Sequence, residues 1–184
     1  MRHRLPYRTP IDDSREIVLR LEEYDDIFSD FDMRPYSARA ISVDFLDEVK
    51  RAVLDKPDEG IVLTMYVPKK RNEHRELMIK ERLRQHFKRH YTLAARHRQR
   101  VIRLGGVMVV LGIICMAFAT LLVHNNPSHS VWRSFFLVFL EPAAWFLLWE
   151  GMDQIIFNAR NINPQLDFYR KMSHTEARLR FKAY

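Results

Sequence analysis

Three carboxylates lie inside a stretch otherwise built of apolar and aromatic side chains: Glu141, Glu150 and Asp153, between Trp132 and Phe157. Acids in such a run are costly in lipid, and where they occur they mark ion or proton paths or find a partner within the protein. Glu141 is followed by Pro142, which removes a backbone N–H and frees a carbonyl that needs a partner in protein or water. Ser134 precedes Glu141 by seven residues and shares its helical face, while Glu150 and Asp153 fall with Gln154 on a different one. If several copies bring Glu141 together, a ring of carboxylates could line a cation or proton path. The competing reading is a protonated Glu141 hydrogen-bonded across a helical hairpin, with Glu150 and Asp153 at the headgroup level.

Two further groupings could carry chemistry. The run from Glu22 to Asp32 interleaves Asp25, Asp26, Asp30 and Asp32 with Tyr24, Phe28 and Phe31, and no basic residue appears before Arg34. Clustered carboxylates can hold hard cations, but the glycine and terminal bidentate glutamate of an EF-hand are missing. An acidic aromatic loop that meets a protein partner, or pairs with basic residues of its own or a neighbouring subunit, is the simpler expectation. His86 and His90 have the i, i+4 spacing of metal ligands, yet a pair without a third ligand specifies no metal site, and none is expected.

The elements that must position these residues follow from the hydropathy pattern. Leu104 to Val123 is an uncharged apolar run, near the roughly 20 residues that a helix needs to cross a hydrocarbon core. With 132–157 it predicts a two-span hairpin joined by a non-cytoplasmic loop over 124–131. Gly105, Gly112 and Ala119 recur every seven residues in the first span, a small-residue stripe suited to close helix packing. Upstream, no Pro or Gly interrupts the chain from Arg71 to Arg103, so the stalk and first span should form one helix about 75 Å long at about 1.5 Å per residue. From Lys69 to Arg103 the chain carries thirteen Lys or Arg against three Glu.

Ahead of the stalk, 1–14 reads as an extended arm and 15–70 as a small α+β domain. Ile17, Leu19 and Leu21 alternate as in a strand; Ser42 opens a helix through about Leu54 that carries Phe45, Leu46, Val49 and Val53 on one stripe; and Gly60 to Val67 is a second strand ended by Pro68. Two strands need further pairing, from the arm or from another subunit. Over 158–184, Asn158 to Asn163 is expected to leave the helix. Asn163-Pro164 then opens a new helix, and Ser173 with Glu176 forms the capping box of a last, short amphipathic one. The expected fold is thus an α+β membrane protein, a β-α-β domain followed by a stalk helix, a hairpin and C-terminal helices.

At Leu140-Glu141-Pro142-Ala143-Ala144-Trp145-Phe146 the chain resembles the filter segment of mitochondrial calcium uniporters, where Glu-Pro and an aromatic pair open the second of two spans. The long helix entering the first span and the matrix-side termini of that family fit the same pattern. The resemblance implies a cation path at Glu141. The family's Trp-Asp pair is absent, its positions holding Leu137 and Val138, so calcium selectivity is not implied.

The 184 residues and formal charge of +7 narrow the classes further. Arg96, Arg98, Arg100 and Arg103 precede the hairpin and Arg160, Arg170 and Lys171 follow it, whereas the connecting end has Arg133 alone, just past the loop. That asymmetry places both termini in the cytoplasm, most simply at a bacterial inner membrane, with the basic stalk near anionic headgroups. Nucleic acid is not expected, since no binding motif accompanies the charge. The single cysteine, Cys115, lies in the first span and allows no intrachain disulfide. No phosphate loop, nucleophile elbow or HExxH is present, so neither an enzyme nor a cofactor is expected. The expected function is an oligomeric cation- or proton-conducting membrane protein with a cytoplasmic assembly domain; the alternative is a membrane-anchored adaptor acting through the acidic loop.

Overall fold

The computed structural model describes residues 15–54, 56–57, 60–68, 71–124, 131–173 and 178–184. The expected arm lies outside them. The chain divides into two units, one formed by Met1–Tyr91 with Asp167–Tyr184 and the other by Thr92–Leu166.

The first unit is a mixed helix and sheet domain. Strands β1 (Glu16–Arg20), β2 (Val62–Val67) and β3 (Arg178–Ala183) form a parallel sheet in the order β1-β2-β3. β2 is central and almost wholly buried, as a strand covered on both faces should be. In register, Leu63 stands between Ile17 and Leu179, and Met65 between Leu19 and Phe181. Three helices contribute apolar stripes to the same core: α1 (Val43–Leu54) through Phe45, Val49 and Val53, α2 (Glu73–His124) through Ile79, Leu83 and Phe87, and α4 (Ala159–Ser173) through Phe168 and Met172. The four-residue steps keep each set on one helical face. Gly60, at φ +77°, makes the left-handed turn into β2, and an added Cβ would come within 3.0 Å of the Arg15 guanidinium.

Two expectations for the C-terminal region are corrected. Asn158 to Asn163 does not leave the helix: α3 (Val131–Asp153) passes through a π turn at Gln154–Asn158 directly into α4, giving one helical stretch from Val131 to Ser173. The π turn accommodates one extra residue in the helix. Nor is there a last helix opened by Ser173; that residue ends α4, Glu176 lies outside the described residues, and Arg178–Ala183 is a strand. Alternation of Leu179 and Phe181 with Arg178, Arg180 and Lys182 fits period two, and the open edge of β2 supplies the backbone partners. The third strand therefore comes from this chain's own C-terminus, not from the arm or another subunit.

The second unit consists of the C-terminal part of α2, α3, the π turn and the start of α4. α2 runs unbroken for 52 residues from Glu73 to His124. α2 and the Val131–Ser173 stretch are long and apolar enough to cross a membrane, yet only 11% and 6% of their most apolar windows are buried. Such exposure sets them apart from the core helices of a water-soluble domain, whose apolar faces are covered. The two helices meet at small residues. A Cβ on Gly105 would lie 2.7 Å from the Gly151 carbonyl oxygen, and one on Gly112 would lie 3.0 Å from the Ala144 carbonyl oxygen and 2.9 Å from Leu148 Cγ. Ala119 is also buried. Arg98 Nε donates to Asn163 Oδ1 at 3.0 Å, and Arg133 Nη2 donates to the Val123 carbonyl at 3.0 Å, near the end of α2.

Candidate functional site

Glu141 sits in the N-terminal half of α3, which stays helical through Pro142. Proline's missing N–H leaves the Val138 carbonyl without its helical donor. Ser134, Glu141 and Leu148 recur at seven-residue spacing and form a stripe beside the seam where Leu148 meets Gly112. Glu141 is exposed, and no hydrogen bond or ion pair reaches its carboxylate from any described residue. Its neighbours Val138, Phe139, Trp145 and Phe146 are all exposed and apolar or aromatic. An unpaired acid thus stands in a wide uncovered apolar surface.

The other two acids of α3 do not join it. Glu150 Oε1 accepts from Gln154 Nε2 at 2.9 Å, and Asp153 Oδ2 accepts from Asn158 Nδ2 at 3.4 Å, both local contacts at the π turn. Nine residues of helix separate Glu150 from Glu141, about 14 Å along the axis at about 1.5 Å per residue. Ser134, likewise exposed, is about 10 Å away in the other direction. Within one chain these groups are strung along a helix and make no common binding site.

The acidic loop is largely occupied in holding its own shape. Asp26 Oδ2 accepts the Glu22 and Glu23 backbone N–H groups at 2.7 and 3.0 Å, closing the 3-10 turn Tyr24–Ile27. Asp25 Oδ1 receives Arg39 Nη1 and Tyr36 Oη, each at 2.8 Å. Asp32 takes a two-pronged contact from Arg34, the shorter prong 2.7 Å, and the Ala40 N–H at 2.6 Å; the Arg34 bonds foremost hold its carboxyl far below the usual range. The partners are arginines of the same loop, not of the stalk. Phe28 is buried and stacked on Tyr36 with ring centroids 5.1 Å apart, so it belongs to the core. Asp30 is exposed, and Phe31 and Met33 are 98% and 93% exposed.

Two arrangements have little trace in sequence. Glu76, in the first turn of α2, is 3% exposed and accepts two hydrogen bonds from Arg71, at 2.9 and 2.7 Å, and one from Tyr24 Oη at 2.9 Å. Arg71 is the chief cause of its lowered pKa. Tyr24 Oη in turn accepts the Asn72 N–H at 3.1 Å, tying the acidic loop to the start of α2. Only the i, i+5 spacing of Arg71 and Glu76 hints at this; the Tyr24 contact spans 52 residues of chain. Second, His86 and His90 face Tyr169 of α4. The histidine rings lie 4.2 Å apart and His90 stacks on Tyr169 at 5.1 Å. Burial above all, then the charges of His90, Arg82 and Arg89, pushes His86 down to about 4. Its buried Nε2 has no hydrogen-bond partner among the described residues. Among the described residues no group of three or more His, Cys, Asp or Glu could hold a metal ion.

No family model, curated protein or solved structure matches this chain. The resemblance of Leu140 to Phe146 to a uniporter filter is thus confined to those few residues, and the functional reading rests on the geometry.

Proposed function

We propose that this chain is an integral membrane protein that crosses the bilayer through α2 and α3, and that copies assemble so that Glu141 lines a path for cations or protons. The observation that carries the reading is the exposed, unpartnered Glu141 carboxylate amid uncovered apolar side chains. Facing lipid, an acid near mid-span costs about 2.5–3.5 kcal/mol on insertion scales. A ring of such acids around water avoids that cost and attracts cations. Because β2 and β3, one on each side of the hairpin in sequence, pair in a single sheet, both flanks lie on the same side of the membrane. The arginine asymmetry makes that side the cytoplasm, with the basic stalk near anionic headgroups.

The test is cation and proton flux into liposomes containing the purified oligomer. Wild-type protein should conduct and Glu141→Gln should lose at least tenfold of the flux. No flux from wild type, or equal flux from the variant, would overturn the proposal. A second reading, an adaptor that captures a protein partner at the acidic loop, is favoured by the exposed Phe31 and Met33. It predicts that replacing both with Ser weakens capture of that partner and leaves flux unchanged.

A further inference from the structure

A cleft of about 440 Å³ opens between the 22–25 turn and the first turn of α2. That is within the size range of small-molecule sites. Its walls carry opposite charge: Glu22, Glu23 and Asp25 on the turn, Arg71 and Arg75 on the helix side, with Tyr24 and Tyr36 between them. Most of these groups are already engaged. Arg71 is bound to Glu76, Asp25 to Arg39 and Tyr36, the Glu23 side chain takes the Asp26 N–H in the capping box of its own turn, and both phenols donate to carboxylates. Two are not. Among the described residues, the Arg75 guanidinium meets only the Tyr36 ring, 5.9 Å from its centroid, and no side chain bonds to the Glu22 carboxylate.

One unspent cation and one unspent anion therefore face a single cleft without pairing to each other. A simple anion would use Arg75 but meet repulsion from the acidic turn, and a simple cation would meet the converse. A ligand carrying both charges satisfies both walls, and its body can rest against the two tyrosine rings. We propose that this cleft binds a small zwitterion of the amino-acid class, its carboxylate on Arg75 and its ammonium on Glu22.

Saturation-transfer NMR on the full chain in detergent, with a pool of the twenty common L-amino acids, tests this directly. At least one member should show transfer, and titration of that member should weaken tenfold or more in Arg75→Gln and separately in Glu22→Gln. Both positions are exposed, and unchanged melting curves would show that the fold is retained. Acetate and methylammonium, each bearing half of the charge pattern, should bind at least tenfold more weakly than the zwitterion. The proposal fails if no amino acid binds, if both variants bind like wild type, or if acetate alone binds as well as the zwitterion.

Discussion

Glu76 shows how a single buried charge can organise two distant segments. Its three hydrogen bonds come from Arg71 and Tyr24, so Tyr24→Phe should cost about 1 kcal/mol, the net worth of one such bond, measured by chemical denaturation. Glu76→Ala should cost more, about 2–3 kcal/mol, because it leaves the Arg71 charge and the Tyr24 hydroxyl without their acceptor. His86 gives a separate pH signature. Its pKa is lowered to about 4 in the folded state from an ordinary 6.5, so protons bind more readily to the unfolded chain between those values. Stability is therefore complete above about pH 6.5 and declines as pH falls toward 4. Lowered carboxyl pKa values at Glu76 and Glu16 act in the same direction, but only below the ordinary carboxylate value of 4.5. Melting temperatures at pH 7 and pH 5 should differ in wild type and differ less in His86→Phe, which keeps an aromatic ring against Tyr169 but has nothing to protonate.

At the scale of elements, the seam between α2 and α3 depends on glycines whose missing Cβ atoms let the backbones approach. Gly151 is the most constrained, since an added Cβ would lie 2.7 Å from the Gly105 carbonyl oxygen and 2.9 Å from the Val109 backbone nitrogen. Backbone cannot step aside as a flexible side chain can, so Gly151→Ala should separate the helices and lower thermal stability in detergent. Gly106 is the internal control. A Cβ there meets nothing within 4 Å, and Gly106→Ala should leave the hairpin's melting unchanged. The same seam places Ser134, Glu141 and Leu148 along its flank, so a change in helix approach also displaces the proposed conducting stripe. Flux measured on Gly151→Ala should fall even though Glu141 is intact.

For the whole molecule, the decisive feature is that the apolar hairpin interrupts the domain that the chain begins to build. β1, α1 and β2 are made first, and the core is completed only when α4 and β3 return with Phe168, Met172 and Phe181. Phe181 is buried and meets the Tyr24 ring edge-on, with centroids 5.9 Å apart. Phe181→Ala should cost about 3–5 kcal/mol, read as protease sensitivity of the domain, whereas Tyr184→Ala, which removes the ring beneath the Arg20 guanidinium, should cost only about 0.5–1 kcal/mol. Bringing the flanks into one sheet also predicts that single-cysteine probes at Arg15 and Tyr184, in a Cys115→Ser background, are labelled from the same side of the membrane.

Local patterns were sufficient where burial followed a simple period. The uncharged run from Leu104, the unbroken helix from the stalk into it, the spacing of Phe45, Val49 and Val53, and β2 ended by Pro68 were all legible in sequence, because each element's hydrophobic stripe is written along its own length. The C-terminal strand was not. Residues 178–183 are too few and too basic to declare a strand alone, and what makes them one is the open edge of β2, more than a hundred residues earlier in the chain. For the same reason the helix through 158–163 was hidden, since Asn and Pro discourage a helix locally while the core contacts of Phe168 and Met172 sustain it. The acidic loop had the composition of a binding surface, yet only tertiary contacts showed that Asp25, Asp26, Asp32 and Phe28 are held within the domain. Sequence alone marked Glu141 as an acid in apolar surroundings; the folded chain determined that none of its described residues satisfies it, because partners are set by distances in space that residue order does not record.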